Sequence, residues 1–300
     1  MDSERTQGHM AALLTVVVWA STFVFLKHLL TIFHPLDILI LRFILSFIAL
    51  TIAQPKRVKV PWKDELLFVA AGFTGVTIYY TLESLALSYT QASNVGVLVS
   101  ISPFFTALLH RIFNHYKLSK TFVPGFIISF AGLLIISFNG RFNLQLNPLG
   151  DVLALAAALG WSLYGLITPK LLQKGYPLPY VTRKIFFYGA IGMLPFSLIM
   201  DFKPNFALLV QPENLLPFFY LALISSCGGF VIWNFAVKHL GAVTTNLYLY
   251  LVPILSILFS GLFLHEKITG LSILGSFLVL LGLAISEMDS IRTVLKRRSE

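Results

Sequence analysis

The sequence predicts an all-α integral membrane protein whose ten transmembrane helices form two inverted five-helix repeats. Three observations predict this class. Apolar runs are long enough to cross hydrocarbon, Lys and Arg favour alternate connectors, and the chain repeats itself with an odd number of spans in each half.

Of 300 residues, 57% are hydrophobic and only 12% are charged, with a mean hydropathy of +0.82, far from the soluble average. Lipid must therefore be the solvent for most of this surface. Apolar runs fall at 10 to 30, 35 to 53, 65 to 88, 92 to 112 and 120 to 138, then at 149 to 169, 179 to 200, 215 to 237, 242 to 263 and 269 to 287. They are too long for barrel strands and lack strict polar alternation, so they read as helices. The first run continues to full spanning length without a small-x-small cleavage site, so it is expected to be the first membrane helix. Connectors are short and marked by Pro, Gly, Asn and Lys, as at Gln54-Pro55-Lys56-Arg57 and Lys174-Gly175-Tyr176-Pro177. No separate water-soluble domain fits between the spans.

The net charge of +9 comes from Lys and Arg scattered among connectors, without a patch of interleaved aromatics, so a nucleic-acid partner is not expected. Topology accounts for the charge better. With a cytoplasmic N-terminus, the inner connectors and tails hold Arg5, Lys56, Arg57, Lys59, Lys63, Arg111, Lys117, Lys120, Lys170, Lys174, Lys238, Arg292, Lys296, Arg297 and Arg298. Arg141, Lys203 and Lys267 lie outside, with Lys27 near an outer helix end, an inner bias of about four to one. Both termini are expected in the cytoplasm, in a multi-pass protein of the cell's inner membrane. The basic tail from Arg292 to Arg298 suits contact with anionic lipid.

An offset of 150 carries Pro103, Phe113, Lys117, Gly125 and Gly132 onto Pro253, Phe263, Lys267, Gly275 and Gly282, and Ala86 and Ala92 onto Ala236 and Ala242. An offset of 142 carries Trp19, Pro35 and Arg42 onto Trp161, Pro177 and Lys184. The halves are residues 1–140 and 141–300. Five spans is an odd number, so the second half enters the membrane from the opposite side. Such a pair can open alternately to either compartment.

The chain resembles the drug/metabolite transporter superfamily, in its ten-helix EamA branch. The resemblance rests on Val18-Trp19-Ala20-Ser21-Thr22-Phe23, on Pro35 followed by Arg42, on Glu83-Ser84-Leu85-Ala86-Leu87-Ser88-Tyr89-Thr90, on Pro103-Phe104-Phe105-Thr106-Ala107-Leu108-Leu109, and on Leu264-His265-Glu266-Lys267-Ile268-Thr269-Gly270. It implies a central cavity between the repeats and movement of small metabolites, chiefly export of amino acids and related compounds. The second repeat departs at two places, with Lys184 at the arginine position and Trp233 at the position of Glu83.

Glu83 is the most informative side chain, because an acid within an apolar span must be paired, protonated or facing water. Helical spacing puts Val76, Tyr79 and Tyr80 on its side. It reads as a group for substrate amine recognition or proton coupling, or as a structural partner of Arg42, since both fall in the outer third of their spans. Arg42 and Lys184 could snorkel or grip a substrate carboxylate or phosphate. Trp19 and Thr22 of the first span, and Trp161 and Tyr164 of the sixth, are candidate cavity-lining residues, with Trp233 of the eighth. Asn94 and Ser100 ahead of Pro103, and Asn246 and Tyr250 ahead of Pro253, are polar positions suited to a loosened helix or to interhelical hydrogen bonds.

Enzyme chemistry finds no support. There is no HExxH, no GxxxxGK[ST] and no second convincing intramembrane acid, and Cys227 has no partner cysteine. No cofactor or metal is implied. The expected ligand is a small molecule moved by alternating access, with protons as the candidate coupling ion. An uncoupled facilitator and a membrane-embedded enzyme or sensor stand as alternatives.

Overall fold

A computed structural model describes residues 2–56, 58–89, 95, 98–99, 101–115, 117–138, 148–199, 202–263 and 269–286. The described residues are helical with no strand. Helices α1 (Asp2–Leu29) and α2 (Pro35–Ala53) are followed by α3 (Trp62–Gly72), a π-helical segment Phe73–Ile78 and α4 (Tyr79–Tyr89), which together make one rod. Then come α5 (Ser102–Asn114), α6 (Phe122–Phe138), α7 (Pro148–Leu172) and α8 (Leu178–Ile199). A short α9 (Phe206–Leu209) leads into a second rod of α10 (Pro212–Phe219), a π-helical segment Tyr220–Gly228 and α11 (Gly229–Leu240). Helix α12 (Ala242–Leu247), a 3-10 turn Tyr248–Tyr250, α13 (Leu251–Phe263) and α14 (Gly270–Ser286) complete the order.

Five stretches among the described residues are long and apolar enough to cross a membrane: Ser3–Leu26, Pro35–Ala53, Trp62–Ala86, Pro148–Leu172 and Pro212–Leu240. Proline near the first turn starts α2, α5 and α10, where its missing N–H costs nothing. Gly175 (φ +79°) and Gly241 (φ +81°) close the turns after α7 and α11 in a region that side-chain-bearing residues avoid. The Leu264–Ile268 motif and the basic tail lie outside the described residues.

Helices of the two halves pack on one another in matched sets. Along α1, Gly8 meets Leu240, the Trp19 indole donates to the Ser225 carbonyl at 3.1 Å, and His28 bonds Asn214 at 2.9 Å, so α1 runs antiparallel to the second rod. Along α7, Ala154 clusters with Ala86, Gly160 meets Ile78 and Tyr164 covers Gly75, an antiparallel run against the first rod. Helix α8 lies on the first π segment, where Thr77 donates to the Gly189 carbonyl at 2.9 Å. Helix α2 lies on the second π segment, where Ser46 donates to the Ala222 carbonyl at 2.7 Å. The offset of 150 that aligns the halves also carries Tyr79, which opens α4, onto Gly229, which opens α11.

Helices α6 and α14 make the closest contact. Gly125 sits on Gly282 and Ser286, Gly132 sits on Gly275 and Val279, and Ser129 donates to the Val279 carbonyl at 3.2 Å. A Cβ at Gly132 would stand 2.6 Å from the Gly275 carbonyl oxygen. Small residues are required here because backbone meets backbone.

Gly132→Ala is therefore expected to lower the apparent Tm in detergent, costing about 1–3 kcal/mol by overpacking. Gly270→Ala, at a position with nothing within 4 Å, is expected to leave it unchanged. Thermal-shift measurements on the two variants check the pair.

Candidate functional site

Where the two rods meet α1 and α7, three tryptophans touch one another. Ring centroids are 5.0 Å apart for Trp19 and Trp233, 5.7 Å for Trp19 and Trp161, and 6.2 Å for Trp161 and Trp233. Tyr79 and Tyr164 each lie 5.2 Å from Trp161, and Tyr80 lies 4.7 Å from Tyr79 and 5.0 Å from Phe43. Phe230 joins Trp19 at 5.5 Å and Trp161 at 6.0 Å. Trp161, Tyr164 and Trp233 are buried, whereas Trp19, Tyr79, Tyr80 and Glu83 keep part of their surface exposed.

Buried indoles and phenols need partners. Trp161 donates to Asn246 Oδ1 at 2.8 Å, and the Asn246 amide donates back to the Ala242 carbonyl at 2.8 Å. Tyr164 donates to Asn234 Oδ1 at 2.9 Å, and Asn234 donates to Thr182 Oγ1 at 3.1 Å. The aromatic cluster is thus pinned to three helices by a polar skeleton.

The charged residues are arranged unlike the direct pair that the sequence offered. Tyr79 donates its hydroxyl to Glu83 Oε1 at 3.2 Å. Arg42 is 6% exposed, donates to the hydroxyls of Ser226 and Ser225, and lies 5.6 Å and 5.7 Å from the centroids of Phe43 and Tyr80. Among the described residues the ion pairs are Lys184–Glu65, Lys174–Asp64 and His239–Glu4, and Arg42–Glu83 is not one of them. Lys184 pairs with Glu65. Tyr188 bonds the same carboxylate.

Other expected residues lie elsewhere. The Thr22 hydroxyl donates to the Trp19 carbonyl at 2.6 Å, within its own helix. Tyr250 packs in a separate apolar cluster with Ala107, Leu133 and Val279, and its hydroxyl is buried without a partner, as is that of Thr106. Asn94 and Ser100 lie outside the described residues. Phe230, Asn234, Ser225, Ser226 and Glu65 were not singled out from sequence. Phe230 was within reach, since the offset of 150 carries Tyr80 onto it, and Asn234 is a lone amide in an apolar run.

At the loop end of α7 the two halves are tied by polar contacts. Tyr176 donates to Asp64 at 2.8 Å, Tyr180 donates to the Val58 carbonyl at 3.1 Å, and Lys174 pairs with Asp64 at 3.2 Å. Burial, with the bond to Asp64 behind it, pushes the Tyr176 phenol up to about 12, so it remains a donor at neutral pH.

The sequence pattern of the EamA-like transporter family matches residues 6–138 and again 148–288. The chain belongs to the EamA-like transporter family. Among relatives, an uncharacterized transporter of Archaeoglobus fulgidus is 28% identical over 94% of this chain and 98% of its own. A probable amino-acid metabolite efflux pump of Escherichia coli is 28% identical over 92% and 93% of the two chains. A probable terminal-alkyne amino-acid exporter of Streptantibioticus cattleyicolor is 27% identical over 97% and 95%. A solved crystal structure shares the fold, with TM-score 0.76 over 95% of this chain and 98% of the other at 19% identity. This EamA protein is a multi-pass membrane transporter, and its family is not one of enzymes.

Asn234→Ala is expected to destabilise the EamA protein by about 1–3 kcal/mol, because it strands the buried Tyr164 hydroxyl. Adding Tyr164→Phe is expected to recover part of the loss. Thermal unfolding of the two single variants and the double variant tests the coupling.

Proposed function

We propose that this EamA protein is a secondary transporter that exports amino acids or related metabolites by alternating access. In this reading ten spans form two inverted halves, residues 1–140 and 141–300, with both termini in the cytoplasm and the chain in the inner membrane. The observation that carries it is reciprocal packing. Gly125 meets Gly282 while Gly132 meets Gly275, so position i of one half touches the counterpart of j, and j touches the counterpart of i. Such reciprocity supports a two-fold relation between antiparallel partners. The crosswise sets α1 with the second rod and α7 with the first support the same relation. Two conformations of similar energy follow if the halves exchange shapes.

Threading has independent support. The connectors around Lys56–Lys63 and Lys170–Lys174, both assigned to the inner side by charge, lie together: Lys174 pairs with Asp64, Tyr180 donates to the Val58 carbonyl and Arg183 to the Gln54 carbonyl. Substrate class rests on the printed names of the exporter and efflux-pump relatives and on the aromatic cluster, which suits a molecule with an apolar portion.

The test is flux of a mixed metabolite panel through proteoliposomes, with and without an imposed pH gradient. Amino acids are expected to move; a folded protein that moves none of the panel sinks the reading. Strict dependence on the gradient identifies proton coupling, and indifference to it identifies a facilitator.

Sidedness has its own measurement. With Cys227→Ser as background, exposed Gln211→Cys is expected to react with an impermeant maleimide on intact cells, and exposed Gln173→Cys only after permeabilisation. Equal labelling of both would overturn the threading.

A further inference from the structure

Helix α7 continues through a proline. Pro169 lies inside the helix and has no N–H, so the carbonyl four residues back, at Gly165, lacks the donor that an α-helix would give it. Gly165 is buried, and a buried carbonyl needs another partner. The His110 imidazole supplies one from α5: Nε2 stands 3.1 Å from the Gly165 oxygen, and the side chain is 8% exposed. A carbonyl only accepts, so Nε2 carries the proton, and Nδ1 accepts from the Asn114 amide at 3.0 Å. The tautomer is fixed from both sides.

Helix α5 is placed for this task. Ser162 of α7 donates to its Ser102 carbonyl at 3.0 Å, and a Cβ at Gly165 would stand 3.4 Å from Thr106 Cγ2, one turn before His110. Pro103 offers a contrast. The carbonyl it leaves without a helical donor is that of Val99, and Ser102, three residues along the same chain, donates to it. That repair ties no helices together. The one at Gly165 reaches from one half of the chain to the other.

The repeat supplies a comparison, because α1 packs on α13 as α7 packs on α5. The offset of 142 puts Phe23 and Lys27 at the positions of Gly165 and Pro169, and the offset of 150 puts Ser260 at that of His110. Proline and histidine occur together in one pair of helices and are both missing from the other, as they must be if one answers the other.

We infer that Gly165–Pro169 is a hinge in α7 and that His110 is its catch. Before the hinge α7 carries Trp161 and Tyr164, held by Asn246 and Asn234; beyond it come Lys174 and Tyr176, both bound to Asp64. An unbroken helix passes any movement of its end to its middle. With the ladder interrupted at Gly165, the loop end can swing while the aromatic cluster stays in place, and the bond from His110 sets the angle at which the two parts rest. The inference depends on no particular substrate and on no threading of the membrane.

The test uses the purified full-length protein in detergent, followed by thermal unfolding and by hydrogen exchange of the backbone amides of residues 166–175. His110→Leu removes the donor and is expected to lower the apparent Tm by about 2–5 °C. In a Pro169→Ala background residue 169 regains its N–H, and the same histidine change is expected to cost less than half as much. The Asn114 bond is lost in both backgrounds and cancels. His110→Gln keeps an N–H donor and is expected to retain most of the wild-type Tm. Equal losses from His110→Leu in the two backgrounds overturn the catch. Exchange of 166–175 is expected to be about fivefold faster in His110→Leu and about fivefold slower in Pro169→Ala than in the wild type, with α6 unchanged. Equal exchange in the wild type and Pro169→Ala overturns the hinge. Should His110→Leu not fold, the double variant decides: its recovery supports the catch, and its failure overturns it.

Discussion

The interior of a bilayer offers no water to a backbone amide or a side-chain hydroxyl, and each polar group there must find its partner within the protein. Helices solve the problem for the backbone, so the described residues hold no strand. Side chains solve it locally or across an interface. Thr15, Thr168 and Ser162 donate to carbonyls one turn back in their own helices, which makes them silent toward lipid. Trp19, Trp161, Tyr164 and Asn234 instead reach another helix, and in doing so fix which helices meet.

Helix association within lipid cannot draw on the hydrophobic effect, so close packing and hydrogen bonds must supply it. Glycine is where this becomes visible. Gly125, Gly132, Gly275 and Gly282 bring α6 and α14 into backbone contact; Gly72 meets the backbone of Ile185 and Gly189 on α8, whereas Gly75 makes room for the Tyr164 side chain and Gly189 and Gly192 for those of Val76 and Thr77. The π segments lie in these same stretches, between α3 and α4 and between α10 and α11. A π turn shifts every following side chain around the helix axis, and such turns recur at functional sites. Here they set the orientation of Tyr79, Tyr80 and Glu83 in one rod and of Phe230, Trp233 and Asn234 in the other.

Much of this was legible from sequence, for identifiable reasons. The all-helical membrane class follows from run length, and membership in a transporter family follows from ordered motifs that recur in both halves. Trp19 and Trp161 could be paired because the offset of 142 aligns them. The π segments carry no comparable mark, since a change from i−4 to i−5 bonding leaves composition and periodicity almost untouched. Pairing of Arg42 with Glu83 was one of two readings of the acid because both sit at similar depth, but depth says nothing of azimuth. The serines that hold Arg42 lie on a rod in the other half, and the Tyr80 ring stands 5.7 Å from its guanidinium carbon. Lys184 was read as snorkelling or gripping a substrate anion for a related reason, since only the packing of α8 along α3 brings Glu65 to it. Tyr250 follows Asn246 by one helical turn, yet the 3-10 turn at Tyr248–Tyr250 places it in a different cluster from the one Asn246 braces.

The two halves therefore divide their duties. Where backbone meets backbone between α6 and α14, their residues match: Gly125 with Gly275 and Gly132 with Gly282. Where charge is concerned they differ, with Arg42 against Lys184, Glu83 against Trp233 and Glu65 against Leu215. A transporter that exchanges the shapes of its halves needs the first kind of match, because two states of comparable energy require equivalent packing. In this chain Glu65 neutralises the cation that symmetry would otherwise duplicate, and Trp233 takes the place of the duplicate acid and becomes a wall of the aromatic cluster. The halves agree at the glycine contact of α6 with α14 and differ at these charged positions.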